Sequence, residues 1–225
     1  MTHASTSTLT RTDGADTSDY AIIHHAIRSA GHALADAAGS LTVADAPRLR
    51  AFMTYWRGHT GEILSHHGIE DTIFFPALRQ RSPEAAVVLD QLDGEHHRLD
   101  QLMEAAEFEL GRVVAGAAPT GAVDALRRLA ELMDDHLDLE DCEVVPQFVE
   151  LFTADEYEAL TKAGIKQTGI NKQAAFTVPY IGYWATPAER ELLLGQAPVP
   201  FRILYLATRR RHGKLAALAL GSAGR

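Results

Sequence analysis

The sequence predicts an all-α protein: an antiparallel up-down four-helix bundle with an appended C-terminal helical segment. Three observations predict it. Four long stretches carry apolar residues at helical spacing, and no series of alternating strands competes with them. Proline and glycine punctuate the chain where these stretches end. One helical-hairpin pattern also occurs twice, with histidines and acidic residues at matching positions.

The elements follow in order. Residues 1–18, MTHASTSTLTRTDGADTS, are rich in Thr and Ser, lack an apolar signal core and read as a disordered lead-in. The first helix is expected over about 19–38, capped by Ser18 or Asp19. Gly39, Ser40 and Pro47 mark the link to a second helix over about 47–81. Gly58, Gly61 and Gly68 weaken that helix, each by about 1 kcal/mol relative to Ala. Pro76 is expected to kink or loosen its last turns. Ser82-Pro83-Glu84 opens a third helix ending near Gly116. Pro119-Thr120-Gly121 turns the chain into a fourth helix over about 122–151. The bundle therefore spans 19–151, with short links that favour antiparallel neighbours.

Residues 152–225 form the extension. Capping boxes at Thr153–Glu156 and Thr186–Glu189 start two short helices. The stretch holding Gly164, Gly169, Pro179 and Gly182 reads as irregular, and a last helix follows over about 201–220. The aromatic strip Tyr180, Tyr183, Trp184, Phe201 and Tyr205 suits packing onto the bundle, as a lid on the site or as a homodimer face.

Composition sets limits. The chain has 225 residues, 46% of them hydrophobic, which is ample for a core. Formal charge is −9, unevenly spread. No acidic residue follows Glu191, and six basic residues follow Val199. That leaves fifteen basic residues against all 30 acidic ones before it, a charge of −15. So acidic a body argues against nucleic acid as a partner. No apolar run reaches membrane-spanning length. The single cysteine, Cys142, excludes an internal disulfide framework, and a cytoplasmic location is expected.

The histidines carry the chemistry. The second helix holds His66-His67-Gly-Ile-Glu70-Asp71, with Pro76 six residues after Glu70. The fourth holds His136-Leu-Asp-Leu-Glu140-Asp141, with Pro146 six residues after Glu140. The first and third match through His24-His25 and His96-His97. Residues four apart share a helix face, so His66 points with Glu70 and His136 with Glu140. His24 shares its face with Ile27, and His96 with Leu92, Leu99 and Met103, so both are expected inward. Phe74 and Leu78 favour His67 over His66, but the match to His136 selects His66, since Leu137 stands opposite His67. His25, His67 and His97 are accordingly expected at the surface or behind the ligands. Burying Glu70 and Glu140 unpaired costs several kcal/mol, and a cation held by both removes that cost. Imidazole with carboxylate suits iron ahead of manganese, and two bridging carboxylates suggest two ions.

This pattern resembles the ligand set of the hemerythrin-like, or HHE cation-binding, family. The likeness rests on His24, His66-x-x-x-Glu70, His96 and His136-x-x-x-Glu140, with support from Glu95-His96 and the two Glu-Asp runs. The resemblance implies an up-down bundle holding two non-haem iron ions. One position departs from it: oxygen-carrying hemerythrins have a second histidine four residues after the first on the third helix, and here that position is Asp100. Asp100 itself, or His59 seven residues before His66, could complete the coordination. The resemblance implies binding or turnover of O2, peroxide or nitric oxide, with a catalase- or peroxidase-like activity among the options. Iron storage or donation and a metal-independent helical adaptor are the alternatives. No Glu-x-x-His pair of the ferritin type is present, which lowers the storage reading.

Overall fold

The computed structural model describes residues 14–224. Among them the chain is helical, apart from one isolated bridge between Gly14 and Thr153. The lead-in expected through residue 18 lies, for residues 1–13, outside the described residues. The described part is packed: Ala15 is buried and α1 already begins at Ser18.

The elements of the first hairpin are α1 (Ser18–Ala38), α2 (Ala46–Ile69) and α3 (Phe75–Arg81). Those of the second are α4 (Ala86–Val114), α5 (Thr120–Leu139) and α6 (Val145–Leu151). The extension holds α7 (Ala154–Thr168), α8 (Ala174–Trp184), α9 (Pro187–Gln196) and α10 (Val199–Leu220). Both expected capping boxes are formed, at Thr153–Glu156 and at Thr186–Glu189. α5 packs against both α1 and α4.

Two features differ from the sequence reading. The second and fourth helices do not simply loosen before their prolines. Each passes through a five-residue π turn, Glu70–Phe74 and Glu140–Val144, before resuming as α3 and α6. Pro76 and Pro146 cannot donate to the carbonyl four residues back, and the wider turn absorbs the mismatch. Phe75 and Val145 donate their backbone N–H to Glu70 and Glu140 instead.

The second difference is α8, which forms where an irregular stretch was expected, with Pro179 inside it. Burial overrides propensity there. Tyr180 is fully buried and its hydroxyl donates to the Ala26 carbonyl at 3.1 Å. The Trp184 indole donates to the Tyr55 hydroxyl at 2.8 Å. Tyr180 and Trp184 of the aromatic strip are thus used within the chain, against α1 and α2.

α8 comes this close because α2 offers glycine. A Cβ at Gly58 would run into the Phe176 ring, and one at Gly61 into the Gln173 side chain. The core built this way is shared: buried residues of α1, α2, α4 and α5 form one cluster with Tyr180, Ile181, Ala216 and Leu220 of the extension. Gly58→Val is therefore expected to destabilise by about 1–3 kcal/mol through overpacking. In urea melts the midpoint should fall at unchanged slope. An unchanged midpoint would show that α8 does not bear on α2.

Candidate metal centre

The π turns lie where the site is built. Glu70 and Glu140 are the first residues of the two turns, and their side chains are 1% and 0% exposed. Each carboxylate spans two imidazoles. Glu70 has Oε1 3.2 Å from His66 Nε2 and Oε2 3.8 Å from His96 Nε2. Glu140 has Oε2 3.3 Å from His24 Nε2 and Oε1 3.4 Å from His136 Nε2. The six residues singled out from the sequence are thus brought together, with each carboxylate lying across two groups of histidines.

Those groups are unequal. His24 and His66 form one with the two carboxylates, and His96 and His136 form another with His67. His67 was expected at the surface or behind the ligands; it is buried, and its ring stacks on His96 with centroids 3.9 Å apart. Adjacent residues lie 100° apart on a helix, so a wide interior face can take both. The apolar partners Phe74 and Leu78 had pointed to His67 correctly. The match to the other hairpin misled, because its counterpart there is the buried Leu137.

Asp100 is exposed and does not face the histidines. The buried face of α4 runs through His96, Leu99 and Met103, and Asp100 falls to its side. His59 is buried, but its Nδ1 is engaged with the Tyr180 hydroxyl at 2.9 Å. Among the described residues, it belongs to none of the three side-chain clusters able to hold a cation, and lies two helical turns before His66. His25 and His97 are turned outward, bonded to Glu189 and to the Asp93 carbonyl.

Behind the ring, acidic residues fix three of the imidazoles. His24 Nδ1 donates to Asp141 at 2.8 Å, His96 Nδ1 to Asp71 at 2.9 Å, and His136 Nδ1 to Glu95 at 3.1 Å. Asp141 is braced in turn by Arg28 at 3.3 Å. An Nδ1–H donated outward leaves Nε2 free to ligate inward.

The fit to a cation is then directly testable on the side chains. The Nε2 atoms of His24, His66, His96 and His136, both ring nitrogens of His67 and all four oxygens of Glu70 and Glu140 are buried without a hydrogen-bond partner. So many orphaned polar atoms at one point are not tolerated in an ordinary core. A cation satisfies them, and nitrogen with carboxylate oxygen and no sulfur suits iron-type ions.

Electrostatics agree. Burial opposes charge on His24, but Asp141 and Glu140 outweigh it and hold the ring up at about 9. Burial opposes charge on Glu140 too, and His24, His136 and His66 overcome it, drawing it down to about 2. Glu70 goes the other way, pushed well up by burial and by the Glu140 charge.

The comparisons with known proteins reach the same place. Residues 20–148, more than half of the chain, match the model of the hemerythrin HHE cation-binding domain. The chain belongs to that family. No curated protein and no solved structure matches it. The hemerythrin match ends at Phe148, so α7–α10 lie outside it.

Two outcomes are expected of this hemerythrin-like centre. Without metal, burial keeps His59 and His66 down at about 3, His212 at about 4, His67 well below its usual range and His136 below it. The unfolded chain takes up those protons near pH 6.5, so acid favours unfolding. Glu62, raised to about 7, Glu70 and Asp19, all pushed up by burial, oppose this with three groups against five. His24 contributes fully below pH 6.5 and loses its contribution only as pH rises through about 9. Urea melts in chelator should therefore show lower stability at pH 5 than at pH 7, by on the order of a few kcal/mol. Equal stability would mean that the buried rings are not held neutral. Second, Asp141→Ala should weaken metal binding about 10–100-fold in chelator competition, by freeing the His24 ring to rotate. Unchanged affinity would remove Asp141 from the site.

Proposed function

We propose that this protein is a non-haem di-iron protein that binds small oxygen or nitrogen species, O2, peroxide or nitric oxide, in a redox response or sensing role. The observation that carries the reading is the pair of buried carboxylates, each lying across a two-histidine group and a three-histidine group. His24 and His66 would hold one iron and His67, His96 and His136 the other, with Glu70 and Glu140 shared. The family membership supports the up-down antiparallel arrangement of the bundle helices and iron as the cation.

Two bound iron ions would supply electrons and open coordination for a small oxidant. The chain's own residues do the rest. Three imidazoles crowd one side of the centre, and two leave room on the other. On the two-histidine side, Tyr20 and His66 border the space from which a small species would approach. Tyr20 stands there, its phenol pushed well up by burial and by the Glu70 and Glu140 charges, so it stays a neutral hydrogen-bond donor. Tyr20 packs edge-on against both His24 and His66 and shields them from water. Asp141 and Asp71 hold protons on the outer nitrogens of His24 and His96.

The uneven donor set favours binding of the small species, with peroxide turnover as the second outcome of the same measurement. Storage or donation of iron would call for a polar entry route, and the space beside His66 is lined mainly by apolar side chains. A metal-independent adaptor would leave Glu70 and Glu140 in solvent, and both are buried.

Protein purified and reduced without oxygen should carry two irons per chain. On stopped-flow mixing with O2, peroxide or nitric oxide it should give a new visible band. A band that reverses on removing O2 marks binding, and rapid loss of peroxide marks turnover. Absence of bound iron, or no spectral response to any of the three, would overturn the reading.

A further inference from the structure

The extension does more than cover the bundle. Between it and the outer side of α1 and α2 lies a chamber of about 280 Å³. Tyr20, His66 and Glu70 line it at the metal centre. From there it follows one face of α2, because Glu62, His66 and Glu70 are spaced four residues apart and all three border it. Eight residues of helix rise about 12 Å, so Glu62 stands about that far from Glu70.

The far wall comes entirely from α7 to α10, through Ile165, Ile181, Leu193, Leu194 and Phe201 among others. The exposed surface of the lining is mostly apolar, and four charged residues border it, Asp19, Glu62, Glu70 and Arg190. Glu62 is buried and accepts a hydrogen bond from the Thr177 hydroxyl. Arg190 is pinned by the Gly182 and Ala185 carbonyls, both at 2.8 Å, and so is held at the wall.

O2, peroxide and nitric oxide have two non-hydrogen atoms each and need no such space. The chamber is about nine times the volume a molecule takes in liquid water. It is a recess partly open to solvent, with room for a whole small molecule. A mostly apolar hollow with a few placed polar groups is the usual form of a small-molecule site.

We propose that α7–α10 build a binding site for an uncharged, apolar organic molecule of roughly ten to fifteen non-hydrogen atoms. Its one hydroxyl or amine is received by Glu62, and its body lies along Ile165 and Leu194 with one end at His66 and Glu70. Its role as a co-substrate or effector of the iron centre rests on the function proposed above; its binding does not.

The test uses the full chain, both metal-free and iron-loaded, and an aminoanthracene fluorophore, which is apolar and carries one amine. Saturable, one-to-one binding with a blue-shifted emission is expected in both forms, displaced by decanol. Ile165→Trp and Leu194→Trp fill the chamber from two different helices and should each weaken binding about tenfold or more. Metal content and thermal melting of these variants report whether they fold and keep the centre. Glu62→Leu should abolish the preference for aminoanthracene over anthracene and leave the apolar binding in place. Binding in the metal-free protein with no iron uptake would uphold this site while the iron reading fails. No saturable binding in either form overturns the proposal. So does binding that at least one folded Trp variant leaves unchanged, or a preference for the amine that survives Glu62→Leu.

Discussion

Everything in this molecule is arranged around the burial of two carboxylates. Glu70 and Glu140 are buried inside a helical core, and their oxygens have no hydrogen-bond partner. An isolated charge there would be expelled or neutralised. Each carboxylate lies against two imidazoles, His66 and His96 for Glu70 and His24 and His136 for Glu140, and Asp71, Asp141 and Glu95 orient three of those rings from behind. The acidic groups thus work in two layers: an inner pair facing the common point and an outer set that fixes the rings. The aromatic packing of Tyr20, Phe74 and Phe148 closes the end of the core beside them.

The two π turns are the backbone half of the same arrangement. A wider turn beginning at the carboxylate changes the angular step between neighbours on the helix. Glu70 then points inward while Asp71, the very next residue, reaches His96 on α4. Glu140 and Asp141 do the same toward α1. Each proline that forces the turn lies beyond it, so the irregularity is written into the local sequence.

Much of this was legible in the chain. The repeated His-x-x-x-Glu-Asp pattern pointed to four inward side chains, because its spacing matches the helix period, and the apolar neighbours of His24 and His96 added two more. The capping boxes at Thr153 and Thr186 located two helix starts, since they are local hydrogen-bond signals. What escaped was decided by tertiary context. α8 was hidden by Pro179 and Gly182, and it exists because α1, α2 and α10 bury it. His67 was hidden by the repeat itself: internal symmetry argued that its place was Leu137's, and the two hairpins have diverged at that pair. The π turns left a visible trace in the Glu-to-Pro spacing, but a proline alone reads as a kink.

The shared core of the extension bears on what counts as one unit. The recognisable family segment ends at Phe148, yet Tyr180 fills space between α1 and α2, and Gly14, ahead of the segment, bridges to Thr153 behind it. The heritable module and the cooperative unit of folding therefore have different borders. A graft of the family segment alone would expose the Tyr55 and Gly58 side of α2. The tail has become structural tissue of its host.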